Sequence, residues 1–193
     1  MKRALLSMGL LCWVLLAALC FVAPATVFAQ AISPEQEAKE KAVDREHLEI
    51  IWKALMEYKK ANGKLPNYLS DLVPEFLPDK SVLVSPAFIS GLLGRVDPRL
   101  PVSYSYEFRM EKMGTGRSFR EFKEEQMQFY GEAVPILRCF AHGDAMNVAY
   151  SGDYFESKGR YWEHSPGVRE LMKKLDGSAR EPLSKEAPST NNN

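Results

Sequence analysis

The chain has 193 residues, 46% of them hydrophobic and 26% charged, with 25 basic and 25 acidic side chains. That balance belongs to a folded globular chain and excludes disordered, collagenous and polytopic membrane classes. Neutral overall charge gives no electrostatic footprint for nucleic acid or for anionic lipid, so no nucleic-acid partner is expected.

Lys2-Arg3 is followed by an uncharged, Leu- and Ala-rich run from Ala4 to Ala23, then Pro24 and Val27-Phe28-Ala29. This order predicts a secretory signal peptide over residues 1–29, cleaved before Gln30, and places the mature chain in the periplasm or outside the cell. The alternative is an uncleaved anchor, because residues 4–23 are about long enough to cross a hydrocarbon core of roughly 30 Å. Membrane contact is expected only in that case. Cys12 and Cys20 lie in this segment, which leaves Cys139 with no intramolecular partner in the mature chain.

Residues 30–47 read as a polar linker and helix start. Ser33-Pro34 with Gln36 is a start signal: the Ser side chain accepts from an orphan N–H, Pro suits the first turn, and Gln36 completes a capping box. Leu48, Ile51, Trp52, Leu55 and Tyr58 then share one face of a helix. Lys41 and Asp44 fall on the same arc, but as charged residues they are assigned to a solvated extension, so docking is expected from Leu48 to Ala61. Asn62-Gly63 ends the helix.

Prolines 66, 74 and 78 restrict the next stretch to a short turn around Tyr68 to Val73, and residues 79–101 read as loop. Val102 to Met110 alternates as a strand, Gly114 to Arg117 turns, and Phe119 to Tyr130 is helical. Pro135 to Phe140 and Met146 to Tyr150 form a hairpin around a five-residue loop, and Tyr154 to Ser157 adds a third strand. Ser165-Pro166 starts a last helix with Val168, Leu171, Met172 and Leu175 on one face, closed by Gly177. The domain is thus expected over residues 48–176, with a disordered tail at 177–193.

The segment from Leu48 to Pro66 has a helix ending in Tyr58, polar residues, Asn62-Gly63 and Leu65-Pro66. The Leu-rich turn from Leu69 to Leu77 follows. Together they resemble the globular start of type II secretion major pseudopilins and the wider type IV pilin-like proteins, over roughly residues 45–110. Asp97-Pro98 ahead of Tyr104-Ser105-Tyr106 echoes the strand entry of that family. The resemblance implies an α+β fold, a long helix packed on a small antiparallel sheet, with other envelope or secretion-system proteins as partners and no catalysis. Unlike a pilin, the chain has no Gly-Phe prepilin site, its apolar run carries no acid, and Pro24 and Pro34 separate that run from the amphipathic helix.

Chemistry-bearing residues are few, and no cofactor motif stands out. Cys139 and His142, with Asp144 and His164 as additions, are the cluster from which a metal centre or a Cys–His catalyst could be built, and they define the alternative function, an exported metal-binding protein or thiol-dependent enzyme. Against this, Cys139 sits in an apolar strand and His142 in a turn, both ordinary structural positions. Asp144, Asp153 and Glu156 could approach one another as a calcium site, without the dense acidic loop such sites use. Tyr154, Phe155, Tyr161 and Trp162 form an aromatic stretch that either offers an interaction surface or closes the sheet over a helix. Glu111 to Glu125 reads as a mixed solvated face. Strand alternation places Ile136, Arg138 and Phe140 on one face with Arg138 solvated, and Leu137 and Cys139 on the core face.

Overall fold

The computed structural model describes residues 33–87 and 97–176. The stretch expected to be a signal peptide or anchor (residues 1–29), residues 88–96 of the stretch expected to be loop, Gly177 and the stretch expected to be a disordered tail all lie outside these residues.

Helix α1 runs Pro34–Asn62, capped where the sequence places it: the Ser33 side chain accepts from the Gln36 N–H at 3.1 Å, and Gly63 closes the helix at a φ of 70°. The Gln36 amide does not complete a capping box but donates to Glu40 at 2.7 Å, one turn on. Leu48, Ile51 and Leu55 are fully buried. Asp44 continues their 4-3-4 spacing by one turn and is buried as completely as they are, so docking starts a turn earlier than expected. Lys41 also reaches the sheet, pairing with Glu156 at 2.8 Å.

After α1 come 3₁₀ turns at Leu69–Leu72 and Lys80–Leu83, strand β1 (Ser105–Tyr106), α2 (Phe119–Tyr130), β2 (Pro135–Cys139), β3 (Asp144–Ala149), β4 (Tyr154–Lys158) and α3 (Pro166–Asp176). The four strands form an antiparallel meander in the order β1-β2-β3-β4. The fold is therefore α+β, with the N-terminal helix on a small antiparallel sheet.

Two departures concern strands. The Val102 to Met110 stretch buries Tyr104, Tyr106 and Phe108 at the expected alternation but pairs as a strand over only two residues, and beyond them Arg109 turns back to donate to the Tyr106 carbonyl at 2.9 Å. The β2–β3 connection is shorter than five residues, since pairing already begins at Asp144.

The register explains why β2 has no solvated face. Leu137, Cys139, Met146 and Val148 turn toward α1, whereas Arg138 lies opposite Asn147, which lies opposite Phe155, on the other face. That second face is covered as well: Phe155 packs so closely on Gly167 of α3 that a Cβ there would sit 2.8 Å from it. Arg138 is consequently buried rather than solvated, its Nε donating to Asn147 Oδ1 at 2.7 Å and its guanidinium lying over the Phe140 ring. Asn147 uses its own amide N–H groups on the Phe155 carbonyl and the Ser157 hydroxyl, so this polar layer between sheet and helix is internally satisfied. Lys123 departs from the solvated reading of its segment too. It is buried, paired with Glu107 at 3.1 Å and set 5.3 Å from the Trp162 ring.

In the middle of α1, one turn after Leu48, Trp52 lies against the turn between β3 and β4. Its indole N–H donates to the Tyr150 carbonyl at 3.2 Å, and its ring passes so close to Gly152, at a φ of 91°, that any side chain there would overlap it. Only glycine suits both the backbone angle and the space.

Candidate functional site

The turn of α1 that carries Asp44 faces the end of β2. Because Asp44 occupies a core rung of the apolar stripe, its carboxylate enters the interior, where every lone pair needs a donor. Four side chains meet it. Tyr104 donates to Oδ1 at 2.6 Å. Ser85 donates to Oδ2 at 2.7 Å, His142 Nε2 stands 2.7 Å from the same oxygen, and the Cys139 thiol donates to it at 3.6 Å. Behind Tyr104, His47 Nδ1 lies 3.0 Å from the phenol oxygen. With the phenol proton committed to Asp44, that oxygen accepts from His47.

The local reasons for this convergence lie on four elements. His47 is one turn beyond Asp44 on α1. Tyr104 precedes β1 and is held in the core by its ring. Cys139 ends β2 on the α1 face, and His142 sits three residues on, in the short connection that folds back toward β3. Ser85 follows the Lys80–Leu83 turn and is fixed by its backbone N–H, which donates to the Ser103 hydroxyl at 2.6 Å.

The cluster is sealed. Asp44 is 0% exposed, the His142 side chain 3% and Cys139 1%. Burial pushes the Cys139 thiol up to about 12; the Ala141 backbone opposes the rise, and the neighbouring Asp44 carboxylate adds to it. Burial likewise drives the Tyr104 hydroxyl far above the ordinary phenol range, with its hydrogen bond to Asp44 reinforcing the rise. At neutral pH Cys139 is therefore a thiol and Tyr104 a phenol, neither of them a nucleophile. The native protein is expected to react slowly with a thiol reagent at neutral pH and rapidly once unfolded. Native labelling as fast as that of a small free thiol would place Cys139 at the surface and contradict this account.

Of the residues singled out from sequence, Cys139 and His142 are brought together, and their acidic companion is Asp44 instead of Asp144. Asp144 is exposed at the start of β3, opposite Lys158, and His164 is exposed in the Trp162–His164 turn after β4. The three acids considered for calcium do not converge on one ion either: Glu156 pairs with Lys41, and Asp153 with Lys174. Lys41 and Lys174 hold those carboxyls below their usual range, the hydrogen bond from lysine being the largest cause in each case.

The aromatic stretch divides. Phe155 and Trp162 are core residues and cannot form an interaction surface. Tyr154 is half-buried beneath the Arg45 guanidinium, 4.5 Å from its ring centre, and Tyr161 alone is open, at 75% exposure. His47, which no sequence pattern singles out, is part of the Tyr104 contact. Sequence reasoning missed Asp44, Tyr104 and Ser85. For Asp44 the signal was present, as an acid at the next core position of an apolar helical stripe; Tyr104 and Ser85 gave none, because their convergence depends on the path of a loop.

Asp44, Cys139 and His142 place one ligand atom each within 4.8 Å of one another, a grouping able to hold a metal ion. No protein-family model matches the chain, and no curated protein or solved structure matches it either.

Proposed function

We propose that this protein is an exported, non-enzymatic interaction domain of the cell envelope, built like the globular part of a pilin-related protein. The observation that carries the reading is the layout of α1 on the sheet. A 29-residue helix lays its C-terminal two thirds on an antiparallel meander, while residues from Pro34 to Ala38 remain exposed ahead of the docked turns. The resemblance over Leu48 to Leu77 corresponds to that docked helix and the Leu69–Leu72 turn after it. Asp97, part of the same resemblance, accepts from the Ser70 N–H at 2.9 Å and from the Arg99 N–H at 2.9 Å, tying the turn to the approach of β1. The sealed state of the Cys139 and His142 cluster supports a non-catalytic role, since a nucleophile and base need a path to substrate.

The exposed Tyr161 and Phe129 are the probe positions for partners. A photo-crosslinking residue at 161, with a second at 129, is expected to yield discrete adducts with envelope or secretion-system proteins in intact cells. Adducts at neither position, or adducts with cytosolic proteins alone, would refute the reading. Processing is tested separately: the exported form is expected to begin at Gln30, and N-terminal sequencing of the envelope fraction checks it. Intact Met1 in a carbonate-resistant membrane pellet would establish the anchor instead.

A further inference from the structure

We propose that Asp44, Cys139 and His142 form a structural binding site for one divalent cation of the zinc class, fastening α1 to the β2–β3 hairpin. The inference is independent of the interaction role.

The three ligand types are those of zinc, a thiolate, an imidazole and a carboxylate. A thiolate excludes calcium and magnesium, which take oxygen alone. Spacing agrees. Zinc–ligand distances of about 2.0–2.3 Å in a tetrahedron put neighbouring ligand atoms roughly 3.3–3.7 Å apart. The Cys139 Sγ to Asp44 Oδ2 separation is 3.6 Å. His142 Nε2, at 2.7 Å from Oδ2, has to withdraw by well under 1 Å as its hydrogen bond is exchanged for coordination. It lies in a turn, where such a shift is easily made. Ser85 Oγ, already beside Oδ2 at 2.7 Å, or a water molecule takes the fourth position.

Charge makes the same point. A carboxylate and a thiolate with a neutral imidazole carry a charge of −2, which a divalent cation neutralises, so the site can remain buried without an uncompensated charge. The thiol proton leaves to solvent as the sulfur binds. The supporting shell is in place as well. Tyr104 holds the other carboxylate oxygen at 2.6 Å, and His47 holds Tyr104, the outer arrangement by which metal-binding carboxylates are oriented. Asp44 and Cys139 are 95 residues apart in sequence, so the ion would bridge elements that the chain itself joins only distantly.

The test uses the full chain with Cys12→Ser and Cys20→Ser, so that Cys139 is its one thiol, reduced, stripped with a chelator and titrated with Zn2+ and, in parallel, with Co2+. The expected results are one equivalent of zinc retained after dialysis and a thiolate-to-cobalt charge-transfer band in the near ultraviolet. Cys139→Ser should abolish that band, and Cys139→Ser and His142→Gln should each weaken zinc binding at least tenfold. His164→Gln, at an exposed histidine, should change nothing. The cobalt spectrum of the chain whose one thiol is Cys139, with His142 intact, decides the question even where a ligand variant fails to fold. Zinc retention below a tenth of an equivalent, a cobalt complex lacking the thiolate band, or loss of binding in His164→Gln would each overturn the site. None of these results bears on the crosslinking outcome.

Discussion

Replacing Asp44 with Ala is expected to cost about 3–5 kcal/mol of folding stability, a large share of the roughly 5–15 kcal/mol that holds a typical domain together. The cost arises from what is left behind. Tyr104 and Ser85 lose the acceptor at 2.6 and 2.7 Å and His142 loses its partner, all within a buried cluster. Asp44→Asn should lose less, because its remaining oxygen can still accept from Tyr104, while its amide faces donors on the other side. Denaturant unfolding of both variants checks this, read as a shift in midpoint at constant slope. A loss below about 1 kcal/mol in Asp44→Ala would mean that the donors find water and that the cluster is open.

The second large effect is expected at Leu55, fully buried on the same helical stripe two turns after Leu48. Leu55→Ala should cost about 2–5 kcal/mol, through lost burial and the cavity left between helix and sheet. Lys41→Ala, which removes only a partly exposed pair with Glu156, should cost under about 1 kcal/mol. Equal losses at the two positions would show that the first turns of α1 are as firmly packed as the middle of the helix.

Much of this fold is written in local chemistry. Ser33-Pro34 and Asn62-Gly63 set the ends of α1, Ser118 and Glu121 cap α2 reciprocally, and apolar runs mark β2 and β3. These signals act over a few residues, so one sequence suffices to find them. What could not be read was the second layer. Nothing local to Arg138 or Lys123 says that Asn147, Glu107 and the Trp162 ring will be waiting for them, and a charged residue is by default assigned to solvent. The same default hid Asp44. Of the candidate site, Cys139 and His142 were legible because Cys and His are scarce; the carboxylate that organises it was not, because an Asp on a helix is common.

The contacts around Asp44 also span long stretches of chain: 41 residues to Ser85, 60 to Tyr104 and 98 to His142. The β2-β3-β4 meander, by contrast, closes through neighbours in sequence. Contacts of large separation are slow to form, so the Asp44 contacts are expected to form late, on the native side of the folding barrier. Asp44 then acts chiefly on the rate of escape from the folded state. In stopped-flow chevrons, Asp44→Ala should steepen the loss by accelerating unfolding while leaving refolding nearly unchanged. The carboxylate is thus a kinetic latch, setting how long the domain stays folded once folded.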